Sequence, residues 1–204
     1  MAFFDKSSMR SKFNIEVPDG EVEILLHACC APCSTAIVEC LLAHGVRPTL
    51  FYYNPNIYPA MEYERRKAEC IRHARMLGLR FVDADYDHDK WLEAVKGLEG
   101  EPERGRRCLQ CFKERLAVTA LYAFEHNYKV FATTLAASRW KSLEQITEAG
   151  QFAAALFPNL FFWAQNWRKG GLSERRNELA RKYDFYNQTY CGCELGAKNF
   201  SPVL

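Results

Sequence analysis

Cysteine supplies the side chains of this sequence that are best suited to chemistry. Seven of its nine cysteines lie in three short clusters that are spread along the chain. A fold that gathers the clusters would bring together more thiols than one tetrahedral zinc ion binds. This pattern favours a metallocluster and electron transfer. The three clusters are Cys29-Cys30-Ala31-Pro32-Cys33, Cys108-Leu109-Gln110-Cys111 and Cys191-Gly192-Cys193.

The first two clusters are spaced as ligands of one metal centre. Two residues between Cys108 and Cys111 allow both sulfurs to bind the same centre while the backbone turns around it. Cys29 and Cys30 can ligate two irons of one cluster if the backbone bends between them. Structural zinc, or burial of cysteine as a small apolar side chain, are the alternatives. Cys33 could add a ligand, and the sequence leaves this open.

The third cluster differs because one residue separates its cysteines. A disulfide across one residue closes a small strained ring, and strain makes a disulfide easier to reduce. Gly192 gives the backbone the freedom that such a ring needs. We therefore interpret Cys191 and Cys193 as a redox-active catalytic pair. The alternative is that both thiolates bind a second metal.

Composition is that of an ordinary globular protein, with 49% apolar and 25% charged residues. A chain of 204 residues can bury a sizeable core without metals or disulfides, so the clustered thiols are expected to serve chemistry. No stretch approaches the ~20 apolar residues of a membrane span, and residues 1–14 lack the apolar core of a secretory signal. We expect a cytoplasmic protein with no membrane partner, because thiols stay reduced in that compartment.

Alternating strand and helix patterns predict a single Rossmann-like α/β domain over residues 22–204, preceded by a poorly ordered arm over residues 1–21. The sheet is expected to have about five parallel strands with helices on both faces. Ligands of such sheets lie beyond the carboxyl ends of the strands, so the cysteine clusters should meet there. The predicted strands are 22–28, 49–53, 80–84, 129–133 and 160–163, and the predicted helices are 34–44, 60–77, 87–96, 112–126, 142–156 and 173–183, the last capped by Ser173.

Other polar residues receive plainer interpretations. His27 ends a buried strand, which is typical of a hydrogen-bonded core histidine. Cys40 and Cys70 lie inside helices and are predicted to pack in the core. The charged residues 62–67 are predicted to be mixed surface charge. Net charge is +2, so a nucleic-acid partner has to be argued from local basic stretches with aromatic neighbours, such as 104–107 and 163–190.

The sequence resembles the cobalamin-independent epoxyqueuosine reductases from about Ile24 to Cys193. A lone CxxC would be a weak match, whereas this ordered set of motifs is specific. The motifs are Leu26-His27-Ala28-Cys29-Cys30-Ala31-Pro32-Cys33-Ser34, Tyr53-Asn54-Pro55-Asn56-Ile57, Arg107-Cys108 with Cys111-Phe112, Thr133-Thr134-Leu135, and Tyr190-Cys191-Gly192-Cys193.

The resemblance implies a fold of the adenine nucleotide α-hydrolase-like group and the last step of queuosine synthesis. In that step the epoxide of epoxyqueuosine, at the wobble position of tRNA, becomes an alkene. The resemblance further implies a redox-active pair and a [4Fe-4S] cluster, and a second, mononuclear iron is a further expectation. The cluster ligands implied are Cys29, Cys30, Cys108 and Cys111, and the redox pair is Cys191 and Cys193.

The same resemblance implies partners. We expect the tRNA anticodon loop to bind near Arg107, Lys141, Arg168 and Lys169, an unidentified electron donor to supply electrons, and the protein to be a monomer. Residues 163–190 depart from the family pattern in detail, so contacts there depend on retained charge alone. The alternatives are a zinc-stabilised RNA-binding module and a nucleotide-dependent sulfur-transfer enzyme acting on tRNA. The latter needs a glycine-rich phosphate loop after the first strand, where this chain has none.

Overall fold

The computed structural model describes residues 13–196 of the chain. Its strands are β1 (Glu23–His27), β2 (Arg47–Tyr52), β3 (Phe81–Asp83), β4 (Val130–Thr133) and β5 (Phe161–Phe162). They form one sheet in the order β3-β2-β1-β4-β5, and every pairing is parallel. The predicted single α/β domain with about five parallel strands is therefore confirmed, and the strand order is consistent with a Rossmann-like fold.

Helices connect successive strands, as parallel pairing requires. Most observed bounds lie close to the predicted ones. Short 3₁₀ turns occur at Pro18–Gly20 and at Thr134–Ala137, directly after β4. The helices are α1 (Ala31–Ala43), α2 (Ala60–Leu77), α3 (His88–Ala94), α4 (Arg106–Glu125), α5 (Leu143–Ala154) and α6 (Leu172–Lys182).

Helix α4 begins at Arg106, so its predicted start at residue 112 was wrong. Gly105 precedes the helix in an extended conformation, and its carbonyl accepts the amide hydrogens of Cys108 and Leu109. Arg106 and Arg107 belong to the basic stretch 104–107, in which the sequence pattern predicted no helix. The second of them is instead buried against the loop that precedes the helix. Cys108 and Cys111 consequently lie in the first turns of a helix.

The predicted cap of the last helix was also wrong. Gly171 occupies the position before α6 with φ +79°, and Ser173 is the second residue of the helix. A positive φ favours glycine, because other residues clash with their own backbone in that region. The helix thus begins at a glycine turn rather than at a serine hydroxyl.

The centre of the sheet is covered on both faces. Residues Ile24 to His27 of β1 are all 0% exposed, although successive side chains of a strand point to opposite faces. Helix α1 packs against α2 and α6, while α4 packs against α5. These two helix groups bury the apolar side chains of β1 and β4, which form the main core.

His27 is a satisfied core histidine, as predicted. Its Nδ1 lies 2.8 Å from Thr133 Oγ1, and its Nε2 lies 3.0 Å from the carbonyl oxygen of Tyr53. Burial lowers the pKa of His27 to about 3, so the ring is neutral. The ring therefore ties the ends of β1 and β4 to the residue after β2, and those three ends frame the site described below.

The segment before β1 contacts the core where it is described. Phe13 and Ile15 are buried, and the Phe13 ring lies 6.2 Å from the Trp167 ring between centroids. Residues 1–12 of the predicted arm lie outside the described residues, and the boundary at residue 22 stays a prediction. Within residues 13–196, none of the helices combines the length and apolar character that crossing a bilayer requires.

Gly150 provides a test of the packing between α5 and β5. A Cβ at this position would lie 2.2 Å from the Phe162 ring. Alanine is more favourable than glycine in a helix by about 1 kcal/mol, but the steric overlap of its Cβ with the Phe162 ring outweighs this gain. We expect Gly150→Ala to lower the free energy of unfolding by about 1–3 kcal/mol in urea denaturation. Gly100→Ala, where a Cβ meets no atom within 4 Å, is the control and should change stability little.

Candidate functional site

The three cysteine clusters meet at one cavity of about 460 Å³. The cavity lies at the carboxyl end of the sheet, beyond β1 and β4. The expectation that the clusters share this edge is confirmed, since residues from each of them line it. The cysteines that line the cavity are Cys29, Cys33, Cys108, Cys111, Cys191 and Cys193.

The first cluster forms the tightest thiol group of the described residues. The Sγ atoms of Cys29, Cys30 and Cys33 all lie within 4.8 Å of one another, and all three residues are buried. The arrangement arises because β1 ends at His27 and α1 begins at Ala31, so a short turn and the first helical turn carry the thiols. Three soft sulfur donors at one point could hold a transition metal ion. The structure thus groups Cys33 with the other two.

Hydrogen-bond donors reach two of these sulfurs. Thr134 Oγ1 donates to Cys29 Sγ at 3.3 Å, and Gln188 Nε2 donates to Cys30 Sγ at 2.8 Å. Hydrogen bonds with the Cys30 and Cys33 thiols lower the pKa of Cys29 well below its ordinary value. Burial raises the pKa of Cys30. Cys29 is therefore the thiol of this group that loses its proton most readily when no metal is bound.

The second cluster lies on α4 next to the third. Cys111 packs with Cys193 and Trp91 in a small buried apolar group, and Cys108 Sγ accepts the Arg104 amide hydrogen at 3.3 Å. Burial raises the pKa of both Cys108 and Cys111. Among the described residues the tight thiol group includes Cys33 rather than either of these, although Cys33, Cys108 and Cys111 all line the same cavity.

A buried arginine holds the third cluster in place. Arg66 of α2 is 3% exposed, and its guanidinium donates to the carbonyl oxygens of Cys191 at 3.2 Å and Tyr190 at 3.3 Å. Glu62, one helical turn earlier, pairs with Arg66 at 2.7 Å. The prediction that residues 62–67 are mixed surface charge was therefore wrong for this pair. The position of Arg66 cannot be seen in sequence because its acceptors are 124 and 125 residues away.

Gly192 is also needed to hold the third cluster in place. Its φ is +107°, its carbonyl oxygen accepts the Tyr58 amide hydrogen at 2.9 Å, and a Cβ there would lie 2.8 Å from Cγ1 of Ile57. His88 adds a further tie, since its ring nitrogens lie 2.7 Å from the carbonyl oxygen of Pro55 and 2.8 Å from Glu194 Oε1. The segment 190–194 thus packs closely on the loop that follows β2.

The four residues predicted to bind tRNA occupy different environments. Arg107 is buried and donates to the carbonyls of Glu99 and Glu101. Arg168 donates to the Ala136 and Lys141 carbonyls at 3.0 and 2.9 Å. These two arginines hold loops around the cavity. Lys169 is exposed, and Lys141 lines the cavity itself.

Lys141 is a cation of the cavity whose charge interacts with thiols of the first and third clusters. Burial lowers its pKa, but the charges of Cys29, Cys191 and Cys33 raise it, and the net shift is upward. The charges of thiols from the first and third clusters therefore favour the protonated form of its ammonium group. Cys191, in turn, is exposed at the surface of the cavity, and its pKa is lowered to about 6, chiefly by a hydrogen bond with the Cys193 thiol.

Sequence reasoning missed Arg66 and Gln188 among the residues that shape the site. Gln188 stands three positions before Cys191, so its nearness to a cysteine cluster was a usable signal. Its contact with Cys30 spans 158 positions, which no local pattern predicts. For Arg66 the signal in the sequence was weaker. Glu62 stands one helical turn before it, and this spacing is equally typical of an exposed ion pair.

We expect Gly192→Ala to detach the segment that carries Cys191 and Cys193. Strain at a positive φ costs about 1–3 kcal/mol, and the contact with Ile57 adds to it. Alkylation of the buried Cys193, followed by mass spectrometry, should become faster. Gly97→Ala is the matched control, because Gly97 has φ +80° but its Cβ would meet nothing within 4 Å. Equal protection of Cys193 in the wild-type and Gly192→Ala proteins would contradict the role assigned to Gly192.

The lowered pKa of Cys191 predicts its reactivity with pH. In the reduced, metal-free protein, the iodoacetamide reaction at Cys191 should reach half its maximal rate near pH 6, because the thiolate is the nucleophile. An ordinary thiol reacts mainly above its pKa of about 8.5. Cys193→Ala removes the hydrogen-bond donor and should move the profile to higher pH. A profile that does not move would show that Cys193 does not stabilise the thiolate.

Comparison with known proteins agrees with this geometry. A sequence profile described as "Epoxyqueuosine reductase QueH" matches residues 24–199 of the chain. That span includes all three cysteine clusters and every strand except Glu23, the first residue of β1. The match therefore covers well over half of the chain.

Three relatives with the name epoxyqueuosine reductase QueH are similar to this chain over most of their own length. The protein of Acinetobacter baylyi is 46% identical over 90% of this chain and 84% of its own. The Haemophilus influenzae protein is 48% identical over 88% of this chain and 73% of its own, and the Thermotoga maritima protein is 34% identical over 83% and 88%. The chain belongs to the epoxyqueuosine reductase QueH family.

Proposed function

We propose that this chain reduces the epoxide of epoxyqueuosine in tRNA to the alkene of queuosine, as the last step of queuosine synthesis. The observation that carries the proposal is the convergence of three cysteine clusters on one cavity, in a member of this reductase family. Reductive removal of an oxygen atom needs electrons, protons and a site that holds the epoxide. The residues of the cavity provide for each of these.

The reaction balances if the epoxide oxygen leaves as water. This takes two electrons and two protons, and the oxidation of two thiols to one disulfide releases the same number of each. Cys191 and Cys193 are the pair that we assign to this step. Cys191 is exposed towards the cavity with a lowered pKa, while Cys193 is a buried thiol beside it.

A metal centre fits the donors that line the cavity. Thiolates are the ligands of iron–sulfur clusters, and the cavity presents them from β1–α1 and from α4. We assign a [4Fe-4S] cluster to Cys29, Cys30, Cys108 and Cys111, with Cys33 as a further donor available to a second, mononuclear iron. Such a cluster, when bound, would supply electrons one at a time, and its iron would be a Lewis acid toward oxygen.

Lys141 is the proton-bearing group that we assign to the epoxide oxygen. Its Nζ is kept protonated by the charge of neighbouring thiols, and it lines the same cavity as Cys191. A general acid has to lie within hydrogen-bond reach of the atom that it protonates. Arg107 and Arg168 do not compete for this role, because both donate to backbone carbonyls around the cavity.

The substrate is a nucleoside within RNA. Anticodon loops are single-stranded, so the wobble base can turn outward into a cavity without melting a helix. We place the enzyme in the cytoplasm, as a monomer supplied by an electron donor that is still to be identified. Exposed Lys169 is a candidate phosphate contact, which would make binding weaken as salt rises.

Single-turnover assays of the reduced protein, purified without oxygen, test the proposal on tRNA that carries epoxyqueuosine. We expect queuosine product and the brown colour of an iron–sulfur protein. Cys108→Ala should abolish colour and turnover, whereas Cys191→Ser should retain colour and lose turnover. Cys40→Ala, at a buried position of α1, is the control and should retain both.

Two results would contradict parts of this proposal. A fully loaded cluster with no queuosine product would refute the activity. A colourless protein that contains zinc and binds tRNA would support the RNA-binding alternative instead. Loss of colour in Cys191→Ser would indicate that Cys191 binds metal rather than exchanging electrons as a thiol.

A further inference from the structure

Trp140 is an exposed aromatic side chain at the mouth of the cavity. It lies between the 3₁₀ turn Thr134–Ala137 and α5, lines the cavity, and is 69% exposed. The other three tryptophans of the chain, Trp91, Trp163 and Trp167, are at most 7% exposed. Trp140 is therefore the tryptophan whose ring face is available to a ligand at the cavity entrance.

The backbone that carries this ring is fixed. Arg104 donates through Nε to the Trp140 carbonyl at 2.9 Å and through Nη2 to the Arg139 carbonyl at 3.1 Å. Gln145 of α5 donates to the Arg104 carbonyl at 2.8 Å. The loop is thus tied to both α5 and the segment before α4. A ring on an anchored loop loses less conformational entropy when a ligand binds.

Positive charge accompanies the ring. The Arg139 guanidinium lies 4.9 Å from the centroid of the Trp140 ring, and both Arg104 and Arg139 are exposed. Within residues 13–196, neither of these arginines forms an ion pair. An exposed aromatic face beside uncompensated guanidinium groups suits single-stranded nucleic acid, where bases stack on rings and phosphates bind cations.

The size of the cavity places this surface relative to the substrate. Pockets of about 300–1,000 Å³ bury a single small ligand, and this cavity measures about 460 Å³. The cavity has to hold the assigned metal centre as well as the substrate, which leaves room for no more than one nucleoside. The nucleotides on either side along the RNA must therefore lie outside, over the mouth. Trp140 and Arg104 line the cavity there, and Arg139 lies beside the Trp140 ring.

We propose that Trp140 stacks on the unpaired base next to the nucleoside that enters the cavity, while Arg104 and Arg139 contact the adjoining phosphates. This inference rests on the proposed function, because it takes RNA as the substrate. It assigns Trp140 as a positioning residue that holds the anticodon loop while the modified nucleoside is inside. The stack is independent of base identity, since every base presents a flat face.

Fluorescence quenching by acrylamide tests the stack directly, because Trp140 is the exposed tryptophan. The probe is a synthetic anticodon stem-loop with unmodified guanosine at the wobble position, so that no turnover occurs. We expect saturating stem-loop to abolish the acrylamide-sensitive emission. A fully paired duplex of the same length should leave it unchanged. Emission that stays quenchable in the saturated complex would overturn the proposal.

Binding of variants to the same stem-loop provides the second measurement. Trp140→Ala should weaken binding roughly tenfold, whereas Trp140→Phe, which retains a flat ring, should stay within about threefold of the wild-type protein. Phe161→Ala is the matched control, because Phe161 is 48% exposed and does not line the cavity. Equal affinities for Trp140→Ala and Phe161→Ala would refute the role of Trp140.

Different results would refute the proposed activity and the proposed stacking of Trp140. If the wild-type protein protects Trp140 on the stem-loop but forms no queuosine, the stacking stands and the activity falls. If it forms queuosine and Trp140→Ala has an unchanged KM for tRNA, the activity stands and the stacking falls. Protection of Trp140 that rises with protein concentration in the absence of RNA would show self-association at this face, and would overturn the proposal.

Discussion

The packing of residues 190–194 on the loop after β2 is the contact on which the cavity depends. Without it the third cysteine cluster would belong to a C-terminal segment with no fixed relation to the sheet. Arg66 supplies this contact from inside α2, where it is buried beside Glu62 and donates to main-chain carbonyls. A buried cation that is paired and hydrogen-bonded is tolerated, whereas removing one partner leaves an uncompensated charge. The geometry of the thiols is thus linked to an ion pair that lies behind them.

Arginine serves the same purpose elsewhere around the cavity. Arg107, Arg168 and Arg104 each donate to two carbonyls of neighbouring loops, which the forked guanidinium allows. Loops at the carboxyl edge of a parallel sheet lack the strand-to-strand hydrogen bonds that satisfy backbone groups inside the sheet. The three arginines therefore stabilise the loops around the cavity by hydrogen bonds to their carbonyls. Lys141 differs, because the charges of nearby cysteines favour its protonated form. Some basic residues of the chain thus support the backbone around the cavity, whereas Lys141 is available for chemistry inside it.

The sequence predicted the elements well, because alternating apolar patterns and glycine stops are local signals. It also located Cys29 and Cys30 correctly, since residues directly after a buried parallel strand must lie at the ligand edge. The start of α4 was missed because Arg107 is buried by bonds to carbonyls, which its type does not suggest. The orientation of Cys33 and the reach of Gln188 depend on side-chain packing across the fold, and no spacing rule encodes them.

The central strand has a consequence for how the protein is made. His27 of β1 contacts Thr133 at the end of β4, 106 positions later. Non-local pairing of this kind is slow to form, because the loop must close before the contact stabilises it. During synthesis β1 and its other neighbour, β2, therefore emerge from the ribosome long before β4 exists. The thiols that follow β1 thus remain uncovered until β4 and the two later cysteine clusters have been made.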